Sequence, residues 1–436
     1  MYRSYRLRRM FAPTAGLTKA VGGFILGLLA LALGFGLSFK GAILPVLGWL
    51  SSVTSAGVMQ FVQPDKVELT KWLLGGVMLL LGLFLTIRSI QYAIDHVLET
   101  INPALRVGKV GDIYVKRQHL AQGPRVVAIG GGTGLSTLLR GLKRHTSNIT
   151  AIVTVTDDGG SSGRLIKDKG MIPPGDIRNC LVALADAEKS MTDLFQHRFK
   201  NDSGSLSGHS MGNLLIAALV DQAKGDFEKA IEIASDVLAI RGRVVPSTLA
   251  HVSLRAELEN GIEVCGETAI VQAGSKIKQI YLNPEECEPT QEALDAIAAA
   301  DMVVIGPGSV FTSLIPNLLV PGIMNALKNT KAAKIYICNV MTQPGESDAF
   351  TASQHVGAIL SNVDAKPFDT VLVNNGLPTE EALHKYRDSR QHFVEPDVDR
   401  IRAMGLRYIQ GNFMSETDVV RHDPMKLAAR LLTLVR

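Results

Sequence analysis

From Ala20 to Phe39 the chain runs for 20 residues without a charge, and Ser38 is its one ordinary polar side chain. At about 1.5 Å rise per residue, a helix of that length covers roughly 30 Å, the thickness of a bilayer core. A second apolar run, Trp72–Ile87, is 16 residues long and ends at Arg88, whose stem can snorkel to an interface while Tyr92 sits at headgroup level. The pattern predicts spans near 20–39 and 72–90, a transmembrane helical hairpin. A cleavable signal peptide also fits the cluster Arg3, Arg6, Arg8 and Arg9, but the apolar run is long for one and no clear Ala-x-Ala site closes it. Between the spans, Gly41–Pro64 is charge-free too, broken by Pro45, Gly48 and Gly57. A third span there would put the rest of the chain outside. Arginines before the first span, and Arg88, Arg106, Lys109, Lys116 and Arg117 after the second, instead place both flanks in the cytoplasm. An interfacial or re-entrant 41–64 agrees with those charges.

Beyond Arg125 the pattern changes to short β-rich runs separated by helical stretches: RVVAI, ITAIVTVT and, much later, MVVI, KIYICNV and TVLVNN. Continuous apolar strands alternating with helices predict an α/β domain with a Rossmann-like, doubly wound, mostly parallel sheet. One segment has another rhythm. Val252, Leu254, Ala256 and Leu258 alternate with polar residues before Asn260-Gly261, which predicts a β-hairpin insertion with a two-residue turn. The organisation is then an anchor over 1–95, a connector over 96–122 and a cytoplasmic domain over 123–436.

Composition narrows the function classes. The chain is 46% hydrophobic and 20% charged, within the globular range. Cys180, Cys265, Cys287 and Cys338 lie far apart with no C-x-x-C pair, so neither a disulfide framework nor a zinc knuckle has support. The net charge of +4 is uneven: residues 1–120 hold 13 Lys/Arg and 5 Asp/Glu, leaving 32 and 36 for the remainder. A net-acidic main domain argues against a nucleic-acid partner, which requires a dense basic face.

The chemistry-bearing residues gather after the strands. Gly130-Gly131-Gly132-Thr133-Gly134 stands between a strand and a helix, where backbone N–H groups can approach an anion at the helix N-terminus. Its spacing is neither the full dinucleotide fingerprint nor a Walker loop, and a merely tight turn is the plain alternative. The second strand ends in Asp157-Asp158-Gly159-Gly160-Ser161-Ser162-Gly163-Arg164. Paired carboxylates there can hold a ribose diol or share Mg²⁺ with a phosphate, while the glycines and serines form an anion nest. An Asx-turn with a solvated acidic pair is the alternative. Asp176 is either a helix cap or a ligand contact. His209 and Asn213 lie four apart on one helical face, where a structural role is equally open. Gly306-Pro307-Gly308-Ser309 is a second candidate cradle, and Asn339, Thr342 and Gln343 follow another strand. No G-x-S-x-G elbow, H-E-x-x-H or kinase set is present.

Together, GGGTGLSTLLRGLK, VTDDGGSSGRL, PPGDIRNCLVAL, GHSMGNLLIAAL, IGPGSVFTSLIPNLLVPGI, YICNVMTQPGESD and VLVNN resemble the YvcK-type gluconeogenesis factors of the CofD-like superfamily, over residues 123–436. The resemblance implies a Rossmann-like domain that binds a nucleotide sugar, UDP-N-acetylglucosamine in better-understood members, and regulates cell-wall synthesis, cell shape and central carbon metabolism. It implies no required cofactor and no established turnover, with cell-wall synthesis proteins as partners and a homo-oligomeric state. The CofD branch transfers a phospholactyl group to a deazaflavin using Mg²⁺ held by aspartates, a place that Asp157 and Asp158 match. Ile166 stands where YvcK proteins usually carry a second arginine. The resemblance further assigns Tyr386 to stacking on a base and Arg421 to pyrophosphate. The rival readings are a Mg²⁺-dependent transferase of CofD type and, third, an NAD-binding oxidoreductase.

Overall fold

The computed structural model describes residues 15–38, 66–101, 117–186, 189–200, 204–415 and 420–435, with residue 115 and a few residues between 48 and 57. The chain divides into two units, 1–117 and 118–436. The first contains helices α1 (Ala15–Ser38) and α2 (Val67–Ile101). They pack antiparallel through small residues. A Cβ on Gly27 would lie 3.1 Å from the Gly82 carbonyl oxygen, and one on Gly34 2.9 Å from that of Gly75. Larger side chains would force the backbones apart, so these glycines set the approach. Within α2, Leu69–His96 is long and apolar enough to cross a membrane, with a mean hydropathy of 2.1. The described apolar stretch of α1 is shorter, Gly22–Gly34. The segment 41–64 and the connector over 102–114 fall largely outside the described residues.

The second unit is built on ten strands: β1 (Val126–Gly130), β2 (Ile149–Val153), β3 (Arg243–Pro246), β4 (Ser253–Leu258), β5 (Glu263–Cys265), β6 (Ile277–Asn283), β7 (Met302–Ile305), β8 (Ala333–Ile337), β9 (Thr370–Asn374) and β10 (Arg407–Gly411). Seven form one parallel sheet in the order β10-β9-β8-β7-β1-β2-β3. Both faces are buried. Val126 and Ala128 of β1 pack into one core with Ile149 and Ala151, while Val127 and Ile129 pack into the other with Val303 and Ile305. Double burial explains the uninterrupted apolar runs of the central strands.

The insertion is larger than its alternation predicts. β6 pairs antiparallel with β4, so a three-stranded sheet, β5-β4-β6, replaces the bare hairpin. Its turn also differs. Leu258 N–H donates to the Ile262 carbonyl, closing a three-residue loop in which Gly261 takes φ +80°. The edge strands β3 and β10 have no apolar run to announce them, since β3 is short and ends at Pro246 and β10 is at most half-buried along its length.

The C-terminal helix, Pro424–Leu432, lies so close to Gly141 that a Cβ there would sit 1.9 Å from the Pro424 carbonyl oxygen. Gly141→Ala should therefore destabilise the domain by roughly 1–3 kcal/mol through overpacking, lowering the urea midpoint at constant m. Gly357→Ala, in a helix with nothing within 4 Å of the new methyl, should keep or raise that midpoint.

Candidate functional site

The sheet reverses its direction of growth between β1 and β7, and open parallel sheets leave a crevice at the carboxyl ends of such a pair. Two glycine turns meet there. A Cβ on Gly134 would stand 2.4 Å from the Pro307 carbonyl oxygen, so only glycine allows the contact. Asn339, beyond β8, locks the second turn by donating to the Gly308 carbonyl at 2.8 Å and accepting from its N–H at 3.1 Å. Helix α3 (Gly132–Leu142) starts at the crevice with no acidic residue in its first turn; Asp176 takes the Gly132 N–H, and Thr133 and Gly134 follow along the cavity. Its N-terminal N–H groups and the positive end of its dipole thus point toward an anion site.

A cavity of about 300 Å³ opens here, and Gly131, Gly132, Thr133, Gly134, Gly308, Ser309, Asn339, Thr342, Gln343, Tyr386 and Arg421 all line it. Asn339 and Thr342 act mainly on the protein. Thr342 accepts from His392 N–H through its hydroxyl and donates its own N–H to the His392 carbonyl, so it staples two walls of the cavity. Tyr386 is fixed because its hydroxyl oxygen accepts from Val420 N–H at 2.9 Å. Arg421 is exposed and has no ion-pair partner among the described residues. Gln343 keeps a buried Oε1 without a partner.

Sequence reasoning missed His422 on the same wall. Its Nε2 lies 3.0 Å from the Cys338 carbonyl, which can only accept, so the ring proton sits on Nε2, and the Phe413 backbone is a second neighbour of the ring. Burial pushes its pKa down to about 4, which keeps the ring neutral. Thr137, Ser313 and Gln391 line the cavity as well. His422 follows Arg421 directly, which was the one available signal.

The other predicted residues lie outside this lining. Gly130 ends β1, and its carbonyl accepts from Thr154 N–H and Asn317 Nδ2. Gly306, at φ +79°, donates to the Ile129 carbonyl across the β1/β7 boundary. Asp157, Asp158, Ser161, Ser162, Arg164, Asp176, His209 and Asn213 gather instead behind the first glycine turn, on the β2 side. They do not line the cavity, yet the later loops reach them: Thr156 Oγ1 donates to the Thr312 carbonyl at 3.5 Å, and Glu346, beyond β8, acts on Glu267 alongside Asp157 and Asp158. Asp176 does not cap its helix, Gly175–Leu184. Its carboxylate faces the Gly132 backbone N–H and lies against Gly131, where a Cβ would be 2.5 Å from Oδ2.

Carboxyls crowd this rear region. Glu267, on a short helix of the insertion (Glu267–Gln272), is pushed up to about 9, first by burial and then by the negative charges of Asp157, Asp176, Glu346 and Asp158. Burial likewise raises Glu346 to about 7 and Asp176 to about 6. The adjacent aspartates are already engaged: Asp157 accepts from Gly159 N–H, and Asp158 accepts from both the N–H and the hydroxyl of Thr268. Among the described residues no three His, Cys, Asp or Glu side chains converge as a metal would require. Protonation of these carboxyls relieves the repulsion among them.

The chain was compared with known proteins. Residues 126–414 match the model of the family described as 2-phospho-L-lactate transferase CofD. A putative gluconeogenesis factor from Nostoc sp. is 44% identical over 419 residues, covering 95% of this chain and 88% of that protein. The gluconeogenesis factor of Bacillus subtilis is 47% identical over 318 residues, 73% of this chain and all of that one (100%). A crystal structure of a UPF0052-family protein from Bacillus halodurans superposes with a TM-score of 0.69 at 47% identity, covering 71% of this chain and 99% of that one.

A carboxyl with a raised folded-state pKa binds its proton more tightly folded than unfolded, so the stability it allows is full below the unfolded value and falls as pH rises toward the folded one. For Glu267 that window runs from 4.5 to about 9. Glu267→Gln should match the wild-type melting temperature at pH 5 and exceed it progressively toward pH 9. Parallel pH profiles would refute the crowding.

Proposed function

The chain belongs to the CofD family and is similar in sequence to gluconeogenesis factors; from that premise we propose that it binds a nucleotide sugar, UDP-N-acetylglucosamine in the first instance, as a membrane-anchored regulator of envelope synthesis and central carbon metabolism. The observation that carries the reading is the convergence, on one cavity at the strand-order reversal, of a glycine-rich helix N-terminus, a pinned tyrosine and an arginine with no ion pair among the described residues. The N–H groups of α3 suit a diphosphate, and Arg421 can add a bidentate contact. The Tyr386 ring offers a flat face to a base. Unpartnered Gln343 Oε1 supplies an acceptor for a sugar hydroxyl or a base N–H. A cavity near 300 Å³ is at the small end for ligand sites, so part of the ligand lies at the mouth, beside Arg421.

Calorimetric titration of the purified protein with UDP-N-acetylglucosamine, with and without Mg²⁺, tests this. Binding should be independent of Mg²⁺ and release no product. Tyr386→Ala and Arg421→Ala should each weaken it at least about tenfold, or about 1.4 kcal/mol. Absence of sugar-nucleotide binding, with Mg²⁺-dependent binding of a guanine nucleotide or deazaflavin, would replace the reading with a CofD-type transferase. Displacement by NAD at equal concentration would favour the dinucleotide.

For the anchor, the long apolar Leu69–His96 and the glycine-packed α1–α2 pair support a two-span hairpin, and the flanking Lys/Arg support a cytoplasmic domain. Cys265 is exposed, whereas the other three cysteines are buried. An impermeant maleimide should therefore label the protein in inverted membrane vesicles and leave it unlabelled in intact cells. Labelling in intact cells would reverse the topology.

A further inference from the structure

The residues left unused by the cavity include a cluster of arginines. Arg164, Arg178 and Arg198 surround the turn that opens the helix Met211–Gln222. A Cβ on Gly208 would lie 3.2 Å from Arg164 Nη2, Arg198 Nη1 reaches the Gly208 carbonyl at 3.4 Å, and the Arg178 stem packs on Gly212. None of the three forms an ion pair among the described residues. Arg178 is the telling member. It is only 7% exposed, it donates to Asn179 Oδ1 through Nη2, and its Nε has no partner. Burial, and then the neighbouring Arg198 charge, disfavour its charged form, which Asp176 and Asp157 offset in part. A buried guanidinium held near a second one, with a donor left over, is costly unless an anion completes the site.

The surroundings are donors too. The helix Gly160–Lys169 starts beside this cluster with no side-chain cap and no acidic residue in its first turn. Ser161 Oγ accepts from Asn213 Nδ2 at 3.1 Å and lies 3.0 Å from His209 Nδ1. Donation of its hydroxyl proton to Nδ1 places the imidazole proton on Nε2, making that atom a further donor. One acceptor is unserved: Asn213 Oδ1, in a side chain 2% exposed.

We propose that Arg164, Arg178 and Arg198, with the Ser161–His209–Asn213 group, form a second anion site, separate from the cavity at the glycine turns, that takes a phosphate group. Hydrogen phosphate matches the inventory because its oxygens accept from the guanidinium forks while its hydroxyl supplies the donor that Asn213 Oδ1 lacks. A carboxylate offers acceptors alone. The site does not depend on the nucleotide-sugar reading, since the two share no lining residue.

The test is equilibrium dialysis of the full chain in detergent against radiolabelled inorganic phosphate. A saturable equivalent is expected that is weakened at least tenfold by Arg164→Gln and by Arg198→Gln and unchanged by Lys276→Gln, at an exposed lysine of neither site. The two arginine side chains are half-buried and exposed, so both variants keep the measurement meaningful if a buried Arg178→Gln fails to fold. Succinate at the same concentration should not compete. The proposal is overturned by an absence of saturable binding, by binding that survives both arginine variants, by equal loss in Lys276→Gln, or by equal competition from succinate.

Discussion

Everything at the candidate site depends on one backbone meeting another. The turn after β1 and the turn after β7 touch through Gly134 and the Pro307 carbonyl, a contact no side chain would survive. The contact is possible because the parallel sheet grows outward in both directions from the β1/β7 pair, bringing two helix-opening turns to the same crevice. Asn339 then locks Gly308 from the next strand, and Thr342 ties in the segment at His392. Much of the polar chemistry at this site serves to hold backbone N–H groups in place.

Charge is sorted around that contact. In front are the helix N-terminus and Arg421, which favour an anion. Behind it, carboxyls from three separate elements crowd together, and burial raises Glu267, Glu346 and Asp176 rather than separating their charges. The helix Gly175–Leu184 bridges the regions: Asp176 faces the glycine turn while Arg178, two residues on, faces the arginine cluster. A proton or an anion gained on one side of this helix therefore alters the electrostatic environment of the other.

The N-terminal helices obey a different constraint. For the proposed two-span anchor the surroundings would be lipid, where neighbouring helices gain little from burying apolar surface against each other, so close packing would have to supply their association. Gly27 against Gly82 and Gly34 against Gly75 provide it, leaving large side chains such as Trp72, Leu80 and Phe84 on the outside.

The sequence by itself determined the doubly wound architecture and which turns carry glycine, because a strand buried on both faces must be apolar throughout and a backbone contact must lack a Cβ. It was silent on β3 and β10, whose half-covered edge positions impose no such pattern, and on β6, which turns the insertion's hairpin into a sheet. It also identified nearly every polar residue of interest without saying which ones share a site. Only the strand order decided that Tyr386 and Arg421 face Gly131–Gly134 across the crevice while Asp157, Ser161, Arg164 and His209, nearer in sequence, lie behind it. Proximity along the chain reports local turns, whereas membership in a pocket follows from which strands are neighbours.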